Sequence, residues 1–231
     1  LHAALFGEKP DASAFAEADW KQIFYLADIQ TVSSLVLDGI GLLPPSVLQM
    51  PLDKKMILFA KMQRMEQINT LHRCVIVKID KALKAEDIQA VFMKGQTVAL
   101  RYPNPLHRTP GDIDFVVAPK DFERTMAVME KIGKVDHGLV HEHHGMAWVD
   151  GVVVEPHYKV HNYQRPSTDQ AMHEMFSSVF PTELSSADMD GYTVPIFPPT
   201  FESVFLISHM VNHVYEEGLG LRQVIDYAMF L

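Results

Sequence analysis

The sequence predicts an α+β protein, helical at both ends with its strands gathered in the middle. Three observations carry that prediction. Leu52 to Lys84 repeats apolar residues at helical spacing with no Gly or Pro to interrupt it. From Gln89 the texture changes to short β-rich runs separated by turn residues. After Pro198-Pro199 the helical spacing returns and holds almost to the last residue.

The elements follow in chain order. Ser13 is placed to cap a helix running through Phe15, Trp20, Ile23, Phe24 and Leu26. A second helical stretch runs from Thr31 to Asp38, weakened by Gly39 and Gly41 and closed by Pro44-Pro45. Leu52 to Lys84 then reads as one long helix. Its methionines, Met56, Met62 and Met65, are expected to pack rather than to bind. Ala90 to Met93 reads as a strand ending in Lys94-Gly95, with a short helical piece behind it. A proline-rich loop carrying Arg108 leads to a second strand, Asp112 to Val117. Pro119 opens a helix with early acids, apolar Phe122, Met126, Val128 and Met129, and Gly133 at its end.

Asp150-Gly151, between His143–Val149 and Val152–Tyr158, is a two-residue hairpin signal. It sets Val149 opposite Val152, Trp148 opposite Val153, Met146 opposite Glu155 and His144 opposite His157. Glu174 to Phe180 belongs to an amphipathic helix, and Tyr192 to Phe197 is a short extended piece. Pro198-Pro199-Thr200 opens a helix through Val204, Phe205, Ile207, Val211 and Val214. Gly218-Leu219-Gly220 ends it, and Leu221 to Leu231 begins another, with Arg222 and Asp226 at i,i+4 spacing. Three regions are expected: a helical 1–86, an α/β core 87–197, and a helical 198–231. The chain starts without Met and stops inside a periodic stretch, so the last region reads as truncated.

Composition narrows the function. The chain has 231 residues, 48% of them hydrophobic, and a formal net charge of -9. With no long basic run, duplex nucleic acid is not an expected partner. The single cysteine, Cys74, excludes an intrachain disulfide and a thiolate zinc cluster. Its apolar setting predicts a buried, inert thiol. No apolar run is long enough to span a membrane, no leader is visible, and the expected location is cytoplasmic.

The chemistry concentrates between residues 91 and 117. Asp112 and Asp114 are two apart on a strand and so share a face. Side by side they repel, which a divalent cation would relieve. Glu155, on an apolar strand, is the natural third acid, and magnesium binds through such carboxylates together with substrate phosphates. The alternative is that Asp112 caps the Pro110-Gly111 turn and Glu155 is solvated. Lys94-Gly95-Gln96 is either a phosphate-contacting turn or a plain one. Arg108 would bind phosphates, or neutralise Asp112 or Asp114. His141, His143, His144 and His157 invite a zinc reading that the alternation of strand faces opposes. His209 and His213, four apart on a helix, read first as packing or a polar stripe.

Taken in order, Lys94-Gly95, Tyr102-Pro103, Arg108, Asp112-Ile113-Asp114, Glu155-Pro156-His157 and Gly220-Leu221-Arg222…Asp226 form a pattern. It resembles that of the uncharacterised nucleotidyltransferase family of the DNA polymerase β-like superfamily, over roughly residues 50 to 231. The resemblance implies a mixed sheet flanked by helices and transfer of a nucleotidyl group from an NTP, with ATP the expected donor. It implies Asp112, Asp114 and Glu155 as catalytic and metal-holding residues for one or two Mg²⁺ ions. Lys94, Gly95, Gln96 and Arg108 would contact the nucleotide. His157, His144 and Arg222 would be accessory. Gln96 is a departure, standing where many superfamily members carry Ser. The acceptor would be a small molecule or a peptide. Two other readings remain. One is a catalytically silent module gripping a protein or peptide through residues 13–84 and 200–231. The other is a zinc hydrolase built on the histidines.

Overall fold

The computed structural model describes the chain except for residues 139–143, 161–164 and 217 and the side chains of 215 and 216. Expected roles for His141 and His143 therefore lie outside the described residues. The chain divides into two compact units that interleave along the sequence. One is formed by 1–70, 99–109 and 218–231, the other by 71–98 and 110–217.

The first unit is helical. It contains α1 (His2–Phe6), α2 (Trp20–Ile29), α3 (Ser33–Gly41), the first half of α4 (Leu52–Lys84) and α9 (Leu221–Phe230). The helix expected to start at Ser13 starts later. Ser13 lies in a 3-10 turn, Ala12–Phe15, and the cap of α2 is Asp19, whose carboxylate accepts from the Gln22 N–H at 3.1 Å. Helix α4 has the expected bounds, but Met56 is exposed, with Leu52, Ile57 and Phe59 beside it.

The second unit carries a seven-stranded mixed sheet. Its strands are β1 (Ala90–Met93), β2 (Ile113–Val117), β3 (Lys134–Asp136), β4 (Met146–Val149), β5 (Val152–His157), β6 (Ser185–Met189) and β7 (Tyr192–Ile196), in the order β3-β4-β5-β2-β1-β7-β6. β1 runs antiparallel to β2, while β2 with β5 and β1 with β7 are parallel. β1 and β2 are both buried along their whole length, β1 as an unbroken apolar run and β2 as one interrupted only by Asp114. Helices α7 (Pro166–Val179) and α8 (Pro199–Glu216) pack Met172, Phe176, Phe201 and Phe205 against Val91, Met93 and Val116. Each fully buried Phe contributes about 1.5–3 kcal/mol.

Helix α6 (Phe122–Ile132) packs on β3, β4 and β5. It ends at Gly133, where a side chain has no room: a Cβ there would lie 2.2 Å from the Trp148 carbonyl oxygen. The second half of α4 buries Val75, Ile76, Ile79 and Leu83. Cys74, expected to be buried, is exposed. The run Cys74 to Val77 is apolar all round the helix, and only part of its circumference is covered. Strands β3 and β6 were not anticipated, although β6 enters a hairpin through Asp190-Gly191, the same dipeptide as Asp150-Gly151. Both dipeptides adopt positive φ at both residues, as a tight hairpin turn requires. Among the described residues no helix is long and apolar enough to cross a membrane.

Candidate active site

The site forms on the two central strands. Asp112 and Asp114 sit at the start of β2, and β5 lies parallel to it with Asp114 beside Glu155 and Val116 beside His157. The Asp150-Gly151 turn fixes the register of β4 against β5, pairing Trp148 with Val153 and bringing His144 opposite His157, as the sequence predicts. Carboxylate oxygens of Asp112, Asp114 and Glu155 lie within 4.8 Å of one another, and ligand atoms of His144, Glu155 and His157 form a second such group.

Asp114 is the hub. Its Oδ1 accepts from Lys94 Nζ at 2.9 Å and lies 3.0 Å from His157 Nε2, and all three side chains are largely withdrawn from water. Burial alone would raise its proton affinity, but the charge of Lys94 and the His157 contact outweigh it and hold the carboxyl well below its usual range. Asp112 and Glu155 move the other way. Asp112 is raised by the Asp114 charge and then by burial. Glu155 is raised to about 8, by burial first and then by Asp114 and Asp112. One lysine therefore neutralises only part of a three-carboxylate cluster. The remainder fits a divalent cation, whose natural ligands are such oxygens.

The turn after β1 delivers that lysine. Lys94 and Gly95 both have positive φ, 56° and 42°. A non-glycine residue adopts this conformation only where its surroundings impose it. Glu202 Oε1 on α8 accepts from the Lys94 N–H at 3.0 Å, and the Thr97 hydroxyl and N–H donate to the Lys94 carbonyl at 2.7 and 2.9 Å. Gln96 is buried at the start of α5 (Gly95–Ala99). A narrow cleft of about 10 Å³, room for roughly one water, is lined by Lys94, Gly95, Gln96, Asp112 and Asp114 among others.

Glu202 and His72 did not stand out in the sequence. Glu202 reads as an ordinary acid in the first turn of a helix. His72, whose Nε2 is 2.9 Å from the Gly111 carbonyl oxygen, lies in a long helical stretch with no local signal. Arg108, expected at phosphates or against Asp112 and Asp114, is engaged elsewhere. It is buried in the helical unit, with Nε and Nη2 donating to Asp226 at 2.7 and 2.8 Å. Tyr102 Oη donates to the same carboxylate at 2.6 Å. Arg222, four residues before Asp226, donates from Nη1 to the Thr109 carbonyl at 3.3 Å. His209 and His213 on α8 bring their Nε2 atoms to 3.0 Å.

The family described as "Uncharacterised nucleotidyltransferase" matches residues 16–231. The chain belongs to that family. It is a nucleotidyltransferase by family and by fold, and the match takes in most of the N-terminal helical region as well as the sheet. The solution structure of the antibiotic-resistance factor ANT(2'')-Ia shares the fold, with a TM-score of 0.52 and 13% identity over 70% of this chain and 83% of that one. The crystal structure of ANT(2'')-Ia in complex with adenylyl-2''-tobramycin gives a TM-score of 0.48 and 13% identity over 69% and 87%. An antigenic nucleotidyltransferase-like protein from Paracoccidioides brasiliensis gives 0.42 and 12% over 72% and 74%. No curated protein matches the sequence.

Proposed function

We propose that this nucleotidyltransferase moves a nucleotidyl group from an NTP, with ATP the first donor to test, to a hydroxyl of a small molecule or peptide. Asp112, Asp114 and Glu155 hold one or two Mg²⁺ ions. The observation that carries this reading is the convergence of the three carboxylates at two parallel strands, with Lys94 hydrogen-bonded to Asp114.

When bound, magnesium supplies positive charge to the triphosphate and makes the acceptor hydroxyl more acidic. The chain's own residues divide the remaining work. Asp114, held ionised by Lys94, stays a ligand at every working pH. Asp112 and Glu155 complete the ligand set, and a carboxylate oxygen of the cluster not engaged by the metal would take the acceptor's proton. The acceptor oxygen bonds to the α-phosphorus, the bond to the β-phosphate oxygen breaks, and pyrophosphate leaves. Lys94 Nζ, with the Gly95 and Gln96 backbone, faces the phosphates from the turn after β1. Arg108 is assigned to the frame of the helical unit, since its fork is engaged by Asp226. The ANT(2'')-Ia complex, which contains adenylyl-2''-tobramycin, names a class of acceptor to include in a screen.

The test is calorimetric titration of Mg²⁺ and ATP into the wild type and the Asp112→Asn/Asp114→Asn double variant. Binding by the wild type and its loss from the variant is the expected result. Equal binding by both proteins would overturn the assignment.

A further inference from the structure

The second ligand group is not a copy of the first. His144, Glu155 and His157 supply two imidazoles and one carboxylate within 4.8 Å. Glu155 Oε2 is 3.7 Å from His144 Nε2 and 3.8 Å from His157 Nε2. Three ligands tetrahedrally placed about 2.0–2.1 Å from a zinc-sized ion are roughly 3.4 Å apart, so the two imidazole–carboxylate distances need close by only a few tenths of an ångström. The register makes the arrangement rigid. His144 and His157 form a bridge across neighbouring strands, with ring centroids 5.0 Å apart, and both are buried.

Carboxylate-only sites suit magnesium, whereas imidazole selects first-row transition ions. We propose that His144, Glu155 and His157 form a second metal position that takes a transition ion of the zinc class, beside the magnesium position and sharing Glu155 with it. The centre is then built for two unlike ions. His157 Nε2 is 3.0 Å from Asp114 Oδ1, so an ion bound at that nitrogen would displace the proton His157 shares with Asp114. The inference requires only metal binding and does not depend on nucleotidyl transfer, although the two sites share Glu155.

Metal-stripped full chain in millimolar Mg²⁺ is titrated with Co²⁺, the visible and paramagnetic stand-in for zinc. One equivalent is expected to bind with visible absorption and two shifted, exchangeable imidazole N–H proton signals. His144→Gln and His157→Gln should each remove one signal and weaken Co²⁺ binding by at least about 10-fold. Circular dichroism establishes folding, and His144→Gln, at the strand end, decides the matter if His157→Gln does not fold. Displacement of Co²⁺ by Mg²⁺ with no shifted imidazole signal would overturn the proposal, as would unchanged affinity in His144→Gln. Asp112→Asn separates the two readings, since it lies outside the histidine set. It should keep the Co²⁺ signals while losing Mg²⁺–ATP binding. If the wild type fails to bind ATP but keeps the Co²⁺ signals, the transfer reading alone fails.

Discussion

Glu155 carries a pH signature that can be measured without knowing the acceptor. Its proton affinity is raised from 4.5 to about 8 in the fold, by burial and then by Asp114 and Asp112. Between those values the folded chain holds a proton that the unfolded chain has released, so stability falls as pH rises through that window. Metal-free protein should therefore melt at progressively lower temperature from about pH 4.5 to about pH 8. Saturating Mg²⁺ should flatten that fall, because the cation replaces the proton. Thermal melts of the wild type and Glu155→Gln across the range check this, and the variant should show a clearly smaller slope. Asp114 behaves oppositely. Its depressed affinity contributes stability above its ordinary range that is lost as pH falls into the acid. Asp114→Asn leaves buried Lys94 without the anion 2.9 Å away, and should cost roughly 3–5 kcal/mol in a urea titration of metal-free protein.

At the level of elements, the site depends on turns that hold strands in register. The β4–β5 hairpin places Glu155 and both histidines, and its dipeptide is legible because Asp-Gly adopts positive φ at little cost. Gly133, where α6 gives way to β3, is constrained by a contact that no sequence pattern reveals. Gly133→Ala drives a methyl to 2.2 Å from the Trp148 carbonyl oxygen, which only a backbone shift can relieve. The expected loss is about 1–3 kcal/mol by chemical denaturation. Divalent-ion affinity should fall with it, since Trp148 pairs with Val153 on the strand that carries Glu155. Unaltered stability would show that the close approach does not persist in solution. Strand β6 was legible in principle from Asp190-Gly191. Its alternation of exposed Ser186 and Asp188 with buried Ala187 and Met189 is a weaker signal than the valine-rich β5.

For the whole molecule, the motif residues separate into two jobs. Tyr102, Arg108 and Asp226 are far apart in sequence yet form one buried network in the helical unit. Lys94, Asp112, Asp114, Glu155 and His157 form the cluster in the sheet unit. Asp226→Asn leaves the Arg108 guanidinium buried beside a neutral amide, and should cost about 3–5 kcal/mol. Hydrogen exchange should locate the loss in α9 and the 99–109 segment, with Co²⁺ and Mg²⁺ affinities at the sheet cluster unchanged. A drop in metal affinity equal to that of Asp114→Asn would contradict this division of roles.

The α+β class, the bounds of the long helix and the central strands are legible in the sequence, and so is the expectation that Asp112, Asp114 and Glu155 meet. Each of these is written in local periodicity, in turn dipeptides or in the order of short motifs. The register from Asp150-Gly151 even placed His144 against His157. Which charges meet is set by the packing of the chain in three dimensions. Arg108 turned to Asp226 rather than to the acids, Lys94 went to Asp114, Glu202 took the Lys94 N–H, and Cys74 faced outward. The physical reason is that a side chain's partner is set by whichever buried charge lies nearest in space, and sequence spacing fixes that distance only within one helix or one hairpin.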